Sequence, residues 1–179
     1  MTDPSLIKRL DSIFGAHMEA ELSSDLDKTL ATMSPNPHIV NVPTMVGGQG
    51  PGAVRTFYAK RLIGQFFPPD VKFETISRTY SEERLVDELI ISFTHTTAID
   101  WMLPGIKPTG KYVEVVFVVI VGIDEGKFTY EHIMWDQANV LVQIGLLDPA
   151  GLPVTGAGAA AKLRNPALPD PFFNEGFDE

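Results

Sequence analysis

Apolar residues recur along this chain first with a helical period and later, from about residue 71, with a period of two. Leu6, Leu10, Ile13, Phe14 and His17 share one side of a helix whose other side carries Lys8, Arg9, Asp11 and Ser12. Ser23-Ser24-Asp25 offers a cap for a second helix through Leu26, Leu30 and Met33, which Pro35 and Pro37 stop. Residues 38–42 read as a short strand, 47–52 as a glycine loop, and 53–67 as a helix broken by Pro68-Pro69-Asp70. Strands follow from Val71 and over 85–99, the latter with Leu85, Leu89, Ile91, Phe93, His95 and Ile99 on one face. Residues 111–123 are apolar on both faces at their centre, which predicts a buried central strand. Asp124-Glu125-Gly126 predicts a tight hairpin into the stretch 127–135. There Phe128, Tyr130, His132, Met134 and Asp136 alternate with Thr129, Glu131, Ile133 and Trp135. Ala138, Leu141, Val142 and Gly145 then suit a short helix ended by glycine.

Strands segregated from helices in this way predict an α+β fold. A strongly curved, mainly antiparallel sheet wrapped around the N-terminal helices would leave a pocket between the two. Residues 1–147 form the expected single domain. The remainder, 148–179, carries five prolines and four glycines and reads as an extended arm with a short Ala-rich helix around 157–163.

Charge and composition narrow the partners. Fourteen basic against 23 acidic residues leave a net charge of −9, which repels nucleic acid and anionic membrane surfaces. The chain has no cysteine, which removes thiolate metal sites and thiol nucleophiles. Its most apolar run, 115–123, is far shorter than the ~20 residues of a membrane helix, and the polar N-terminus lacks an apolar signal core. A soluble cytoplasmic protein is expected.

The candidate chemistry centres on Asp136, where strand hands over to helix. A carboxylate there either caps the helix or, held in an apolar cavity with a raised pKa, carries a proton. His132 shares its strand face, although four residues of strand separate the two by roughly 13 Å. A tight hairpin would place Glu114 opposite Asp136, coupling two carboxylates. His95 continues an apolar face, and His38 opens a strand near a cavity mouth. Trp101, Tyr58 and Met134 could wall an aromatic substrate. His17 and Glu21 stand at i,i+4, but no third ligand is spaced to join them, so an ordinary helix pair and no metal site is expected. Residues 105–111 nearly spell a phosphate loop, yet Tyr112 replaces the required Ser/Thr and a strand follows instead of a helix. No serine sits in a G-x-S-x-G elbow.

Thr94-His95-Thr96, Pro104-Gly105-Ile106-Lys107-Pro108-Thr109-Gly110-Lys111 and Val113-Glu114 resemble the central signature of the SnoaL-like polyketide cyclases. The closing Glu131, Asp136, Leu141, Gln143 and Gly145, and the glycine-led helix start at 48–52, resemble that family too. The likeness spans about residues 11–147. The family lies within the superfamily of nuclear transport factor 2, ketosteroid isomerase and limonene epoxide hydrolase. The resemblance implies a conical α+β barrel with one deep apolar pocket, and an aspartate near the end of the last strand as acid/base of an aldol closure, here Asp136. The long Pro-rich tail and Asp100-Trp101-Met102 depart from the family pattern.

The expected function is therefore cofactor-free acid/base chemistry, an aldol-type cyclisation or isomerisation of an enolisable ketone. Asp136 would shuttle the proton, and His132 or His95 would orient a carbonyl. The expected partner is a hydrophobic, oxygenated small molecule, and a homodimer is expected. The alternatives are a non-catalytic binding or assembly protein of the same fold, and hydrolysis of an epoxide or ester by activated water.

Overall fold

A computed structural model describes residues 3–172; the first two residues and 173–179 of the arm lie outside the described residues. The helices are α1 (Pro4–Leu22), α2 (Leu26–Ala31), α3 (Pro51–Phe57), α4 (Gln137–Gln143) and α5 (Gly158–Arg164). The strands are β1 (Met33–Asn41), β2 (Val46–Gln49), β3 (Lys72–Tyr80), β4 (Arg84–Thr94), β5 (Tyr112–Asp124) and β6 (Lys127–Trp135). They form one six-stranded sheet in the order β2-β1-β6-β5-β4-β3. The α+β class holds, but the sheet is mixed, because β1 runs parallel to β6 while every other pair is antiparallel. It does not close into a barrel: β2 and β3 are its edges.

Several local expectations change for identifiable reasons. The strand expected at 38–42 begins at Met33 and contains Pro35 and Pro37. Proline is tolerated there because pairing with β6 skips from Met33 to His38, and pairing with β2 starts only at His38. The expected glycine loop supplies β2, where Gly47 runs so close to β1 that a Cβ would lie 2.0 Å from the Ile39 carbonyl oxygen. Pro51 opens α3, which passes at Tyr58 into one wider π turn, Tyr58–Leu62. Such turns occur frequently at functional sites.

Glu125 and Gly126 both have positive φ, as a two-residue hairpin of type I′ requires. Just beyond it the β5–β6 register slips, with Ile123 opposite Phe128 but Gly122 opposite Tyr130. Thr129 is the extra residue of a bulge, which re-aims side chains across the sheet. Phe128 is thereby fully buried on the same side as Glu131 and Trp135, while Tyr130, His132 and Met134 take the other. The two faces of this strand are not the two that strict alternation predicts.

The core lies between the inner sheet face, α1 and α3, with Leu10, Val54, Phe93, Phe117 and Val140 excluded from solvent. The arm is docked over the part that is described. Asn139 Oδ1 accepts from the Thr155 and Gly156 amides, and Arg164 pairs with Glu74 and Glu114. No described helix is long and apolar enough to cross a membrane.

Candidate active site

A cavity of about 140 Å³ opens between the inner sheet face, α1 and the π turn, walled by Phe57, Phe66, Phe67, Phe73, Trp101 and Phe117. Trp101 is held there by its indole N–H, which donates to the Phe66 carbonyl at 2.9 Å. Polar groups enter at a few points: Glu21 from α1, Tyr58 from the π turn, Glu131 from β6, Asn41 from β1, Thr75 and Arg78 from β3 and Asp87 from β4. A mostly apolar cleft with a few converging polar groups is the usual form of a small-molecule site.

The densest polar set is built around His17. Spacing of three and four along α1 puts Leu10, Phe14, His17 and Glu21 on the inward side. His17 stacks on Phe128 at 4.2 Å between centroids, and the bulge is what turns Phe128 inward to meet it. The Thr32 hydroxyl donates to the Thr29 carbonyl, so at 2.5 Å it accepts from His17 Nδ1–H. That leaves Nε2 facing Glu21 Oε1 at 3.1 Å, the Tyr58 hydroxyl at 3.1 Å and Glu131 Oε2 at 3.6 Å. Tyr58 in turn donates to Glu131 Oε2 at 3.1 Å. His17, Glu21, Tyr58 and Glu131 are all buried.

Two carboxyls and one imidazole cannot all carry charge cheaply in such a place. Burial pushes the His17 pKa down, but the carboxylates of Glu21 and Glu131 outweigh it and raise it to about 10. Burial raises the Glu21 carboxyl above its ordinary range, against the opposing pull of His17. Burial and the same two carboxylates push the Tyr58 phenol well above 10. At neutral pH His17 is an imidazolium, hydrogen-bonded within a set of two buried carboxyls and a neutral phenol, and burial favours the protonated form of Glu21. A proton donor and a proton acceptor thus stand side by side at the cavity wall.

His17, Glu21 and Glu131 offer three ligand atoms within 4.8 Å of one another, the third supplied by the strand that sequence spacing could not connect to the helix. A divalent cation there would have to displace a proton held with a pKa of about 10, costing roughly 10³ in affinity at neutral pH. It would also have to compete with the Tyr58 hydrogen bonds. The set suits a shared proton better than an ion.

A second polar set lies elsewhere on the cavity. Arg78 forks onto Asp87 at 3.0 and 2.7 Å, reaches Asp11 at 3.0 Å and lies 4.7 Å over the Phe14 ring. Those contacts balance the guanidinium charge and tie β3 to β4 and to α1.

Of the residues expected to act on or bind a substrate, Trp101 and Tyr58 line the cavity, while Asp136, His132, His95, Met134, Glu114 and His38 do not. Asp136 is exposed and caps α4: Oδ1 accepts from the Asn139 amide at 3.0 Å and Oδ2 from the Asn139 side chain at 2.8 Å. The expected apolar enclosure of Asp136 is corrected on that ground. Asp3 and Asp25 cap α1 and α2 in the same manner. Replacing Asp136 by Ala is expected to cost about 1 kcal/mol in a denaturation experiment. His132 and Met134 lie on the outer face, where His132 Nε2 meets His38 Nε2 at 3.0 Å beside the stacked Tyr130 ring. Burial, then the charges of His38 and Arg84, lower the His132 pKa.

Glu114 does not face Asp136. The β5–β6 ladder ends with Phe117 opposite Trp135, and Gln143 takes over by bonding both the amide and the carbonyl of Glu114. The Glu114 carboxylate turns outward to Arg164. His95 is buried away from the cavity, where Nδ1 accepts from the Thr109 amide and its backbone pairs with Lys111 and Gly110. It braces the loop of the Pro-Thr-Gly-Lys signature, and burial lowers its pKa.

The sequence reading takes His17 and Glu21 as an ordinary helix pair and gives Glu131 no site role, and it passes over Asn41 and Arg78. A signal was present for the first three: Glu131 is the only acidic residue of β6 and shares a face with Ile133 and Trp135, and His17 continues the apolar side of α1.

Comparison with family models finds no match, and neither does comparison with curated protein sequences. Solved structures do match. A candidate SnoaL-like polyketide cyclase from Jannaschia sp. CCS1 aligns at a TM-score of 0.62 and 16% identity, over 83% of this chain and 99% of that one. AclR, a candidate hydroxylase from Streptomyces galilaeus, aligns at 0.58 and 19%, over 87% and 94%. An NTF2-like protein of unknown function from Burkholderia pseudomallei K96243 aligns at 0.55 and 18%, over 76% and 97%. At such identities the likeness speaks to architecture, and this chain has the fold shared by SnoaL-like and NTF2-like proteins.

Proposed function

We propose that the protein is an enzyme that moves a proton on a hydrophobic, enolisable ketone held in the inner cavity, which the sheet and α1 surround as a cone. The observation that carries this reading is the meeting of two buried carboxyls, Glu21 and Glu131, with the Tyr58 hydroxyl and the His17 ring at one wall of a mostly apolar chamber. In the reaction, the Glu131 carboxylate takes a proton from the carbon beside the carbonyl. The carbonyl oxygen, gaining negative charge, receives a hydrogen bond or a proton from the Glu21 acid or the Tyr58 phenol. Return of the proton to another carbon gives isomerisation, and attack of the enolate on a second carbonyl gives an aldol ring closure. His17 holds a positive charge behind the pair and keeps both carboxyls from being neutral together.

The cavity, about 140 Å³, is close to the roughly 150 Å³ that holds a benzene, which supports a small cyclic substrate. The names of the structural neighbours, a polyketide cyclase and a hydroxylase among them, are compatible with such substrates without selecting one.

The test uses 2-tetralone, whose benzylic carbon is acidified by both ring and carbonyl. In D₂O the wild-type protein should incorporate deuterium at that carbon above the rate in buffer, read by proton NMR. Exchange no faster than with heat-inactivated protein would reject the reading and leave a binding protein of the same fold.

A further inference from the structure

Asn41 is a polar residue of the cavity that neither the acid/base set nor the Arg78 set uses. It is 1% exposed, sits on β1 and lines the cavity. Its side-chain N–H donates to the Val46 carbonyl at 3.0 Å, which fixes the orientation of the amide, because the oxygen could not make that bond. The oxygen, Oδ1, then has no hydrogen-bond partner among the described residues. A buried amide oxygen without a donor carries a penalty of about 1–3 kcal/mol, so the fold keeps it at a cost. A lone water would be a poor tenant, since buried waters typically make about three hydrogen bonds and Asn41 is flanked by Ile39 on its own strand and Ile133 on the next.

Position adds a second constraint. In the β1–β6 register Ile39 lies beside Glu131 and Asn41 beside Ile133. One double step along a strand and one step between strands separate Asn41 from Glu131, roughly 8 Å between Cα atoms. That is the length of a bicyclic molecule from one end to the other.

Resting on the reaction read above, we propose that Asn41 is the specificity residue of this site, and that the substrate is a ring ketone carrying a hydroxyl or N–H donor at the end remote from its reacting carbonyl. The carbonyl end lies at Tyr58, Glu21 and Glu131; the donor end bonds Asn41 Oδ1. A ketone without the donor leaves that oxygen unpaired and binds less tightly for that reason.

The experiment measures equilibrium binding of 2-tetralone and 6-hydroxy-2-tetralone by calorimetry, with the hydroxyl at the far end of the ring system. Wild type should prefer the hydroxylated ketone by about tenfold or more. In Asn41→Leu, which has similar volume and no acceptor, the preference should fall to about one. In Asn41→Asp, which keeps an acceptor, it should persist, a rescue that a purely structural role would not produce. Equal wild-type affinities overturn the proposal, as does a preference retained in Asn41→Leu; should that variant fail to fold, the wild-type ratio decides alone. Binding and exchange of 2-tetralone with no gain from the hydroxyl sinks this inference only. Failure of both ketones to bind sinks it together with the ligand reading of the cavity.

Discussion

Glu131→Gln is expected to slow deuterium exchange of 2-tetralone by 10² to 10⁴, the usual contribution of a positioned general base. Asp136→Asn is expected to leave it within about twofold. The first substitution keeps the shape of the side chain and its capacity to accept from Tyr58, but removes the group that takes the proton. The second touches a carboxylate whose two oxygens are spent on the turn beside it. Binding of the ketone separates chemistry from collapse of the site: in Glu131→Gln it should survive. Comparable exchange by the Glu131 variant and wild type would remove Glu131 from the mechanism. A large loss in the Asp136 variant, with folding intact, would return the proton to the helix cap.

The contrast between these two carboxylates shows what the chain discloses before it folds. Most elements and their order were legible from hydrophobic period, β2 and the first half of β1 excepted, and the hairpin from Asp-Glu-Gly, because both depend on neighbours in sequence. The end of β6 was legible as a strand-to-helix junction, and the capping role of Asp136 was one of its two readings. What was not legible is the bulge at Thr129. One extra residue in the ladder exchanges the faces of everything beyond it. Strict alternation groups Phe128 with His132 and Asp136; the bulge groups it with Glu131. The site inherits the same difficulty. His17 and Glu21 announce themselves as a helix pair, but the third member arrives from a strand more than a hundred residues later. Tyr58 and Trp101 were recognisable as wall material, since large aromatic residues near a predicted pocket need no exact register. Asn41 gave no signal at all: a strand asparagine becomes informative only when its amide oxygen is found without a donor.

His17→Ala is expected to be the most destabilising single change in the polar cluster, by about 3–5 kcal/mol at neutral pH. It removes the one cation facing two buried carboxyls, together with the ring that stacks on Phe128. For a chain of this length that corresponds to a fall in melting temperature of roughly 6–20 °C. The dependence on pH is the sharper part. The His17 pKa is raised in the fold from about 6.5 to about 10, so the stability it supplies is complete below 6.5 and is lost as pH rises through 10. Glu21 is raised as well, so its contribution is complete below about 4.5 and erodes as pH climbs above that. Both shifts carry the same sign, and wild-type stability should decline from neutral pH toward 10. The gap between wild type and His17→Ala should be widest near neutrality. It narrows toward pH 10, where the wild-type imidazole gives up its charge. Thermal melts of the two proteins across pH 5 to 10 read this directly. A gap of constant size over that range would mean that His17 is only a packed ring, and the paired acid and base beside it would lose the charge that holds them apart.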